Sequence, residues 1–166
     1  MAINHPDRIK SLVLEATMAH VDEGLKRILV QWLEWSKKGE WYKLNIDSIK
    51  KTYTPKYYGK YQWAFPLFHL LPKPKNPNRM VRILEGLLDL DNRPYLNRIK
   101  CPTLVIGGDA DEVTRPELQK EMADLIPNAK QVIISGVGHG ANQEARKEHE
   151  MNVLSFYDEV DGEIRM

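Results

Sequence analysis

Hydrophobic and polar positions divide the chain into three textures. Residues 11–16, Ser-Leu-Val-Leu-Glu-Ala, form a compact apolar run behind the charged lead Asp7-Arg8-Ile9-Lys10. Its brevity predicts a buried strand rather than a helix. From about residue 18 to 95 the spacing becomes helical. Val21, Leu25, Ile28, Leu29 and Trp32 recur at i, i+4, i+7, i+8 and i+11, one apolar stripe along a helix. Asp22 suits its N-cap, Lys37 and Lys38 its negative end, and Gly39 the position just beyond. A second helix carries Trp41, Leu44, Ile49 and Tyr53. Pro55 and Pro66 interrupt the next stretch, so 55–71 reads as broken helix. Residues 72–77, Pro-Lys-Pro-Lys-Asn-Pro, form a stiff connector. Asn76 and Pro77 suit the cap and first position of a helix presenting Met80, Ile83, Leu84, Leu87 and Leu88.

Beyond residue 96 the texture alternates. Thr103-Leu-Val-Ile106 predicts a buried strand, followed by the loop Gly107-Gly-Asp-Ala-Asp-Glu112. A helix from Pro116 places Leu118, Met122, Leu125 and Ile126 on one face and ends near Pro127-Asn128. Gln131-Val-Ile-Ile134 is a further strand, Ser135-Gly-Val-Gly-His-Gly140 a loop. The final helix carries Ala145, His149, Asn152, Val153 and Phe156. Strand, helix, strand, helix in this order predicts an α/β fold with parallel strands and right-handed crossovers.

Composition narrows the functions available. At 166 residues the length suits one domain, with room for an insertion. A net charge of +1 gives no field to displace counterions, which argues against nucleic-acid binding. One cysteine excludes an intrachain disulfide framework and a multi-thiolate zinc site. No run nears the roughly 18 apolar residues of a membrane span. The first ten residues lack the apolar stretch of a signal peptide, so the expected compartment is the cytoplasm. No histidine–carboxylate cluster has metal-ligand spacing and no glycine-rich phosphate loop occurs, so no cofactor is expected.

In open α/β sheets, working residues lie beyond the carboxyl ends of the strands. Two loops leave such ends here. One holds Asp109 and Asp111; the other holds His139 between glycines. A carboxylate that orients a histidine, and a histidine that acts as general base, are two members of a nucleophile–base–acid triad. Either loop alone reads as an ordinary turn. Each following a buried strand, with one helix between, they form a pattern.

The pattern extends into a family resemblance. Ile99-Lys-Cys-Pro-Thr-Leu-Val-Ile-Gly-Gly-Asp-Ala-Asp111 resembles the seventh-strand motif of the α/β-hydrolase fold family. Ile126-Pro-Asn-Ala-Lys-Gln-Val-Ile-Ile-Ser-Gly-Val-Gly-His139 resembles its eighth strand and histidine loop. Asn4-His-Pro-Asp-Arg-Ile-Lys-Ser-Leu-Val-Leu14 is similar to the approach to its sixth strand. The resemblance covers nearly the whole chain and is closest to the esterase and enol-lactonase branch. It implies an α/β fold: the C-terminal part of a hydrolase sheet (1–17 and 96–166), with residues 18–95 as a helical cap. It implies Asp111 as the acid and His139 as the base. Asp109 is the runner-up acid, otherwise a loop-capping carboxylate. Glu15 is a second alternative, since some members carry the acid beyond the sixth strand.

One element of the family pattern has no match. No Gly-x-Ser-x-Gly turn occurs in these 166 residues. Ser11 starts a strand, Ser135 ends one, and Ser36, Ser48 and Ser155 fall in helices. Cys101 precedes Pro102 at the start of a strand and reads as a small buried hydrophobe. The implied function is therefore hydrolysis of a small-molecule ester, lactone or related acyl bond, with the nucleophile supplied from outside this chain. An aspartate nucleophile would instead make a dehalogenase or epoxide hydrolase. A non-catalytic binding module is the alternative of a different class. The sixth-strand edge is expected to be open, inviting a complementing N-terminal half or self-association.

The remaining candidates have ordinary readings. His5 is expected at the surface, and His149 in a structural role. His20 and His69 could face a pocket, but core or surface positions are favoured. Trp32, Trp35, Trp41, Trp63, Phe65 and Phe68 could line an apolar pocket or simply fill space between helices. The six methionines are scattered and carry no signal.

Overall fold

The computed structural model describes residues 1–70 and 74–165, without the side chains at 68, 69 and 163–165. Three parallel strands, β1 (Leu12–Glu15), β2 (Thr103–Gly108) and β3 (Ala129–Ile134), form one sheet in the order β1-β2-β3. The middle strand is buried at all six positions, as its continuous apolar run requires. β1 is half-buried rather than buried, because among the described residues only its β2 edge is paired.

The chain between β1 and β2 is helical. α1 (Glu23–Lys38) begins where the Asp22 carboxylate accepts the Leu25 amide at 2.9 Å and ends at Gly39, whose φ is 70°. Both ends match the sequence signals, because each satisfies backbone groups the helix leaves unpaired. α2 (Trp41–Thr52) follows. Then come a single turn, α3 (Pro55–Tyr58), and a 3-10 stretch (Gln62–Leu70) that contains Pro66. α4 (Pro77–Leu88) packs along α1 through Leu84 against Leu25 and Leu29. Asn76 occupies the N-cap position of α4, but its side chain makes no capping hydrogen bond, so Pro77 alone marks that start. Residues 72 and 73 of the predicted connector lie outside the described residues. An antiparallel bridge between His20 and Asp91 closes the neck where this helical segment leaves and rejoins the sheet.

The rest of the chain alternates as its periodicity predicts. A short turn, α5 (Arg93–Leu96), leads into β2. α6 (Pro116–Leu125) crosses to β3, burying Leu118 and Met122. After β3, the short helix α7 (Ala141–Glu144) precedes α8 (Arg146–Arg165). Ala145, expected inside the last helix, is instead the break between the two, with φ −126° and ψ 47°. Two apolar clusters cover the two faces of the sheet. Leu104, Ile106, Ile134 and Phe156 meet on one; Val105, Leu96, Met122 and Ile126 meet on the other. Among the described residues no helix is long and apolar enough to cross a membrane.

Candidate active site

The carboxyl ends of β2 and β3 bring together two of the residues singled out by sequence. His139 Nδ1 lies 3.0 Å from Asp111 Oδ2. The Asp111 side chain is fully buried, and His139 is partly exposed. Gly108 makes this approach possible. A Cβ there would stand 2.1 Å from the Val137 carbonyl oxygen, so no larger residue lets the β2 loop lie against the histidine loop. The histidine loop in turn rests on α2, where the Gly140 amide donates to the Thr52 carbonyl at 2.8 Å.

Asp111 is held by more than the histidine. Its Oδ1 accepts the amides of Val113 and Thr114, each at 2.8 Å, and its Oδ2 accepts the Thr114 hydroxyl at 2.8 Å. Burial by itself pushes this carboxyl up, because it penalises the charge. The hydrogen bond and positive charge of His139, with the Thr114 bonds, outweigh it and hold the carboxyl below its ordinary 3.8. The ionised form is thus the native one.

Two of these neighbours escaped the sequence reading. Thr114 also sits 3.2 Å from His139 Nδ1, so it touches both members of the pair. Gln119 is fully buried, donating to the Thr114 carbonyl at 2.7 Å and reaching Asp111 Oδ2 at 3.5 Å. A signal for each exists. Threonine three residues after an aspartate is a turn-capping pattern. Glutamine in register with Met122 and Ile126 is a polar residue in an apolar helix stripe.

The other acid candidates lie elsewhere. Asp109 accepts the Ser135 hydroxyl at 2.9 Å and the Gly136 amide at 2.6 Å, tying the ends of β2 and β3 together as a loop-capping carboxylate. Glu15 faces a different histidine, with Oε2 3.3 Å from His149 Nε2. His20 Nδ1 lies 2.8 Å from Glu121, at the neck. Cys101 is partly buried and packs against the Val105–Met122 cluster.

His139 opens onto a cavity of about 470 Å³ between the sheet's carboxyl end and helices α1, α2 and α4. That volume lies within the roughly 300–1,000 Å³ of small-molecule sites. Leu25, Leu29, Leu44 and Leu87 supply much of its apolar wall. Of the aromatic candidates whose side chains are described, only Trp32 is among its lining residues, and Trp63 is 74% exposed on the surface. The side chains of Phe68 and His69 lie outside the described residues. The methionines are not silent after all: Met18 and Met80 line the cavity, where flexible thioethers fill irregular space. A hollow of similar size, about 450 Å³, lies at the amino end of the strands against Pro102, Asn128 and Phe156, away from the Asp111–His139 pair.

Comparison with known proteins bears on the fold. The family described as alpha/beta hydrolase fold matches residues 1–145. Lipase 3 of Moraxella sp. (strain TA144) is 26% identical over 167 residues, covering 95% of this chain and 51% of the lipase. Lipase 1 of Psychrobacter immobilis is 32% identical over 85 residues, covering 49% of this chain and 27% of that lipase. Among solved structures, MGS-M2, an alpha/beta hydrolase enzyme from a Medee basin deep-sea metagenome library, superposes with a TM-score of 0.81 at 28% identity. The enol-lactonase from Burkholderia xenovorans LB400 shares the fold, with a TM-score of 0.81 at 22% identity. In both superpositions 95% of this chain covers 59% of the other, so the chain spans a little over half the length of these two structures. A parallel sheet with flanking helices, matched along most of its length, places the chain in the alpha/beta hydrolase fold family.

Proposed function

We propose that Asp111 and His139 are the acid and base of an acyl hydrolase that cleaves an ester, lactone or related bond. The nucleophile and the oxyanion-binding amides come from a segment outside these 166 residues. Residues 18–95 act as the cap over the substrate, and 1–17 with 96–166 form part of the core. The 3.0 Å contact between His139 Nδ1 and the buried Asp111 carries the reading. It leaves Nε2 without a hydrogen-bond partner among the described residues, on a ring that lines the cavity.

Chemically, the pair suits proton transfer. The nucleophile's oxygen attacks the acyl carbon while His139 Nε2 takes its proton. Asp111 holds the Nδ1 proton and stabilises the imidazolium as it forms. The bond from acyl carbon to leaving oxygen breaks as His139 returns the proton to that oxygen. Water then repeats the cycle on the acyl-enzyme, giving the acid and the free nucleophile. The unpaired edge of β1 supports pairing with a strand of the nucleophile-bearing part.

The test is ester turnover by the complete enzyme with and without His139. His139→Ala is expected to lower kcat by at least 1,000-fold with the fold retained. Turnover within threefold of the parent would overturn the assignment.

A further inference from the structure

The polar atoms of the cavity wall differ in whether they have partners. Thr114 Oγ1 is engaged by Asp111. The Trp32 indole N–H donates to Asp47 Oδ2 at 2.7 Å, which fixes the ring and leaves its carbon atoms toward the cavity. The Ser48 hydroxyl donates to the Asn45 carbonyl at 3.0 Å, keeping only lone pairs open. The Asn45 side chain is half-buried, lines the same cavity, and makes no hydrogen bond among the described residues. It offers two N–H donors and one acceptor in a wall that, apart from the neighbouring Ser48 hydroxyl and the tethered Trp32 ring, is apolar on the α1, α2 and α4 sides.

Water can satisfy a half-exposed amide so placed until a polar group of the substrate takes its place. Its partner can be identified by charge and position. Among the described residues lining the cavity none is Lys, Arg, Asp or Glu, so the matching group is uncharged. Asn45 lies seven residues before Thr52, the point where the His139 loop touches α2. Seven helical residues span about 10 Å. The group that Asn45 reads is therefore remote from the reacting carbonyl.

We propose that Asn45 is a specificity residue, selecting acyl chains that are apolar but carry a neutral oxygen, such as a ketone or hydroxyl, several bonds from the scissile carbonyl. This rests on the acyl-hydrolase reading above. The asparagine then pairs with that oxygen, and the Ser48 lone pairs can accept from a hydroxyl on the same group.

The experiment compares the complete enzyme on three matched esters: plain octanoate, 6-oxo-octanoate and 7-oxo-octanoate. The parent is expected to prefer an oxo ester, and Asn45→Leu to lower the oxo-to-plain ratio of kcat/KM about tenfold, as loss of one neutral hydrogen bond requires. Asn45→Asp, similar in shape but charged, is expected to lose the oxo preference too. Binding of the corresponding unreactive ketones, 3-octanone and 2-octanone, is read separately by tryptophan fluorescence and is expected to weaken in Asn45→Leu. An unchanged ratio in a folded Asn45→Leu overturns the inference while leaving the hydrolase reading intact. No turnover of any ester, or turnover indifferent to His139→Ala, fails the hydrolase reading instead. Ketone binding lost in Asn45→Leu would then still support the contact.

Discussion

Glu144 grips Thr54 with both carboxylate oxygens. Oε1 accepts the Thr54 amide at 2.9 Å, and Oε2 accepts the Thr54 hydroxyl at 2.5 Å. The same Oε1 accepts the Gly138 amide at 3.1 Å. One carboxylate thus ties the helical segment to the loop that carries His139. Gly138, next to the histidine, is thereby linked through Glu144 to Thr54, which lies ninety positions before that glutamate in sequence.

Glu144→Ala is therefore predicted to loosen that joint. It leaves the amides of Thr54 and Gly138 without their carboxylate, a loss of about 1–3 kcal/mol. Thermal melting measures the stability change. Hydrogen exchange at Gly138 and His139 is expected to rise more than exchange in β2, since the loop is released while the sheet is untouched.

Gly108→Ala tests the close approach of the two loops. The added methyl meets backbone, the Val137 carbonyl, at 2.1 Å, and backbone cannot rotate aside. Overpacking of this kind costs about 1–3 kcal/mol or more. A denaturant midpoint lowered by that amount is expected. A neutral result would mean that the β2 loop and histidine loop are not in contact.

Acid stability depends on Asp111. Its carboxyl is held below its ordinary 3.8 in the folded chain, so folding favours the ionised form. This contribution is complete above about pH 4 and is lost as pH falls toward the depressed folded value. Melting temperatures of parent and Asp111→Asn, tracked from pH 7 to 2, are expected to differ most at neutral pH and to converge below about pH 4. A gap that widens with acid would reverse the sign and contradict the ionised assignment.

Much of the fold is readable from local pattern. The Asp22 cap, the Gly39 stop and the continuous burial of Thr103–Ile106 are decided by backbone chemistry and by short-range spacing, so they survive in the sequence. The Asp111 and His139 loops are readable for the same reason, since each comes after a strand and carries its own glycines. Other features depend on distant partners. Asn76 looks like a cap, yet what its side chain meets is set by the chain around it, and no capping bond forms. Met18 and Met80 meet in one cavity wall although 62 positions separate them along the chain. Thr114 and Gln119 left weak local traces whose meaning appears only when Asp111 is placed beside them.

If the proposed pair is catalytic, Asp111 acts on the reaction through His139. The most direct measurement is kcat of the complete enzyme for parent and Asp111→Asn. A fall of about 1,000- to 10,000-fold in kcat with little change in KM is expected, because an asparagine keeps the shape but no longer stabilises the imidazolium. A folded Asp111→Asn enzyme that retains kcat within threefold would contradict this role.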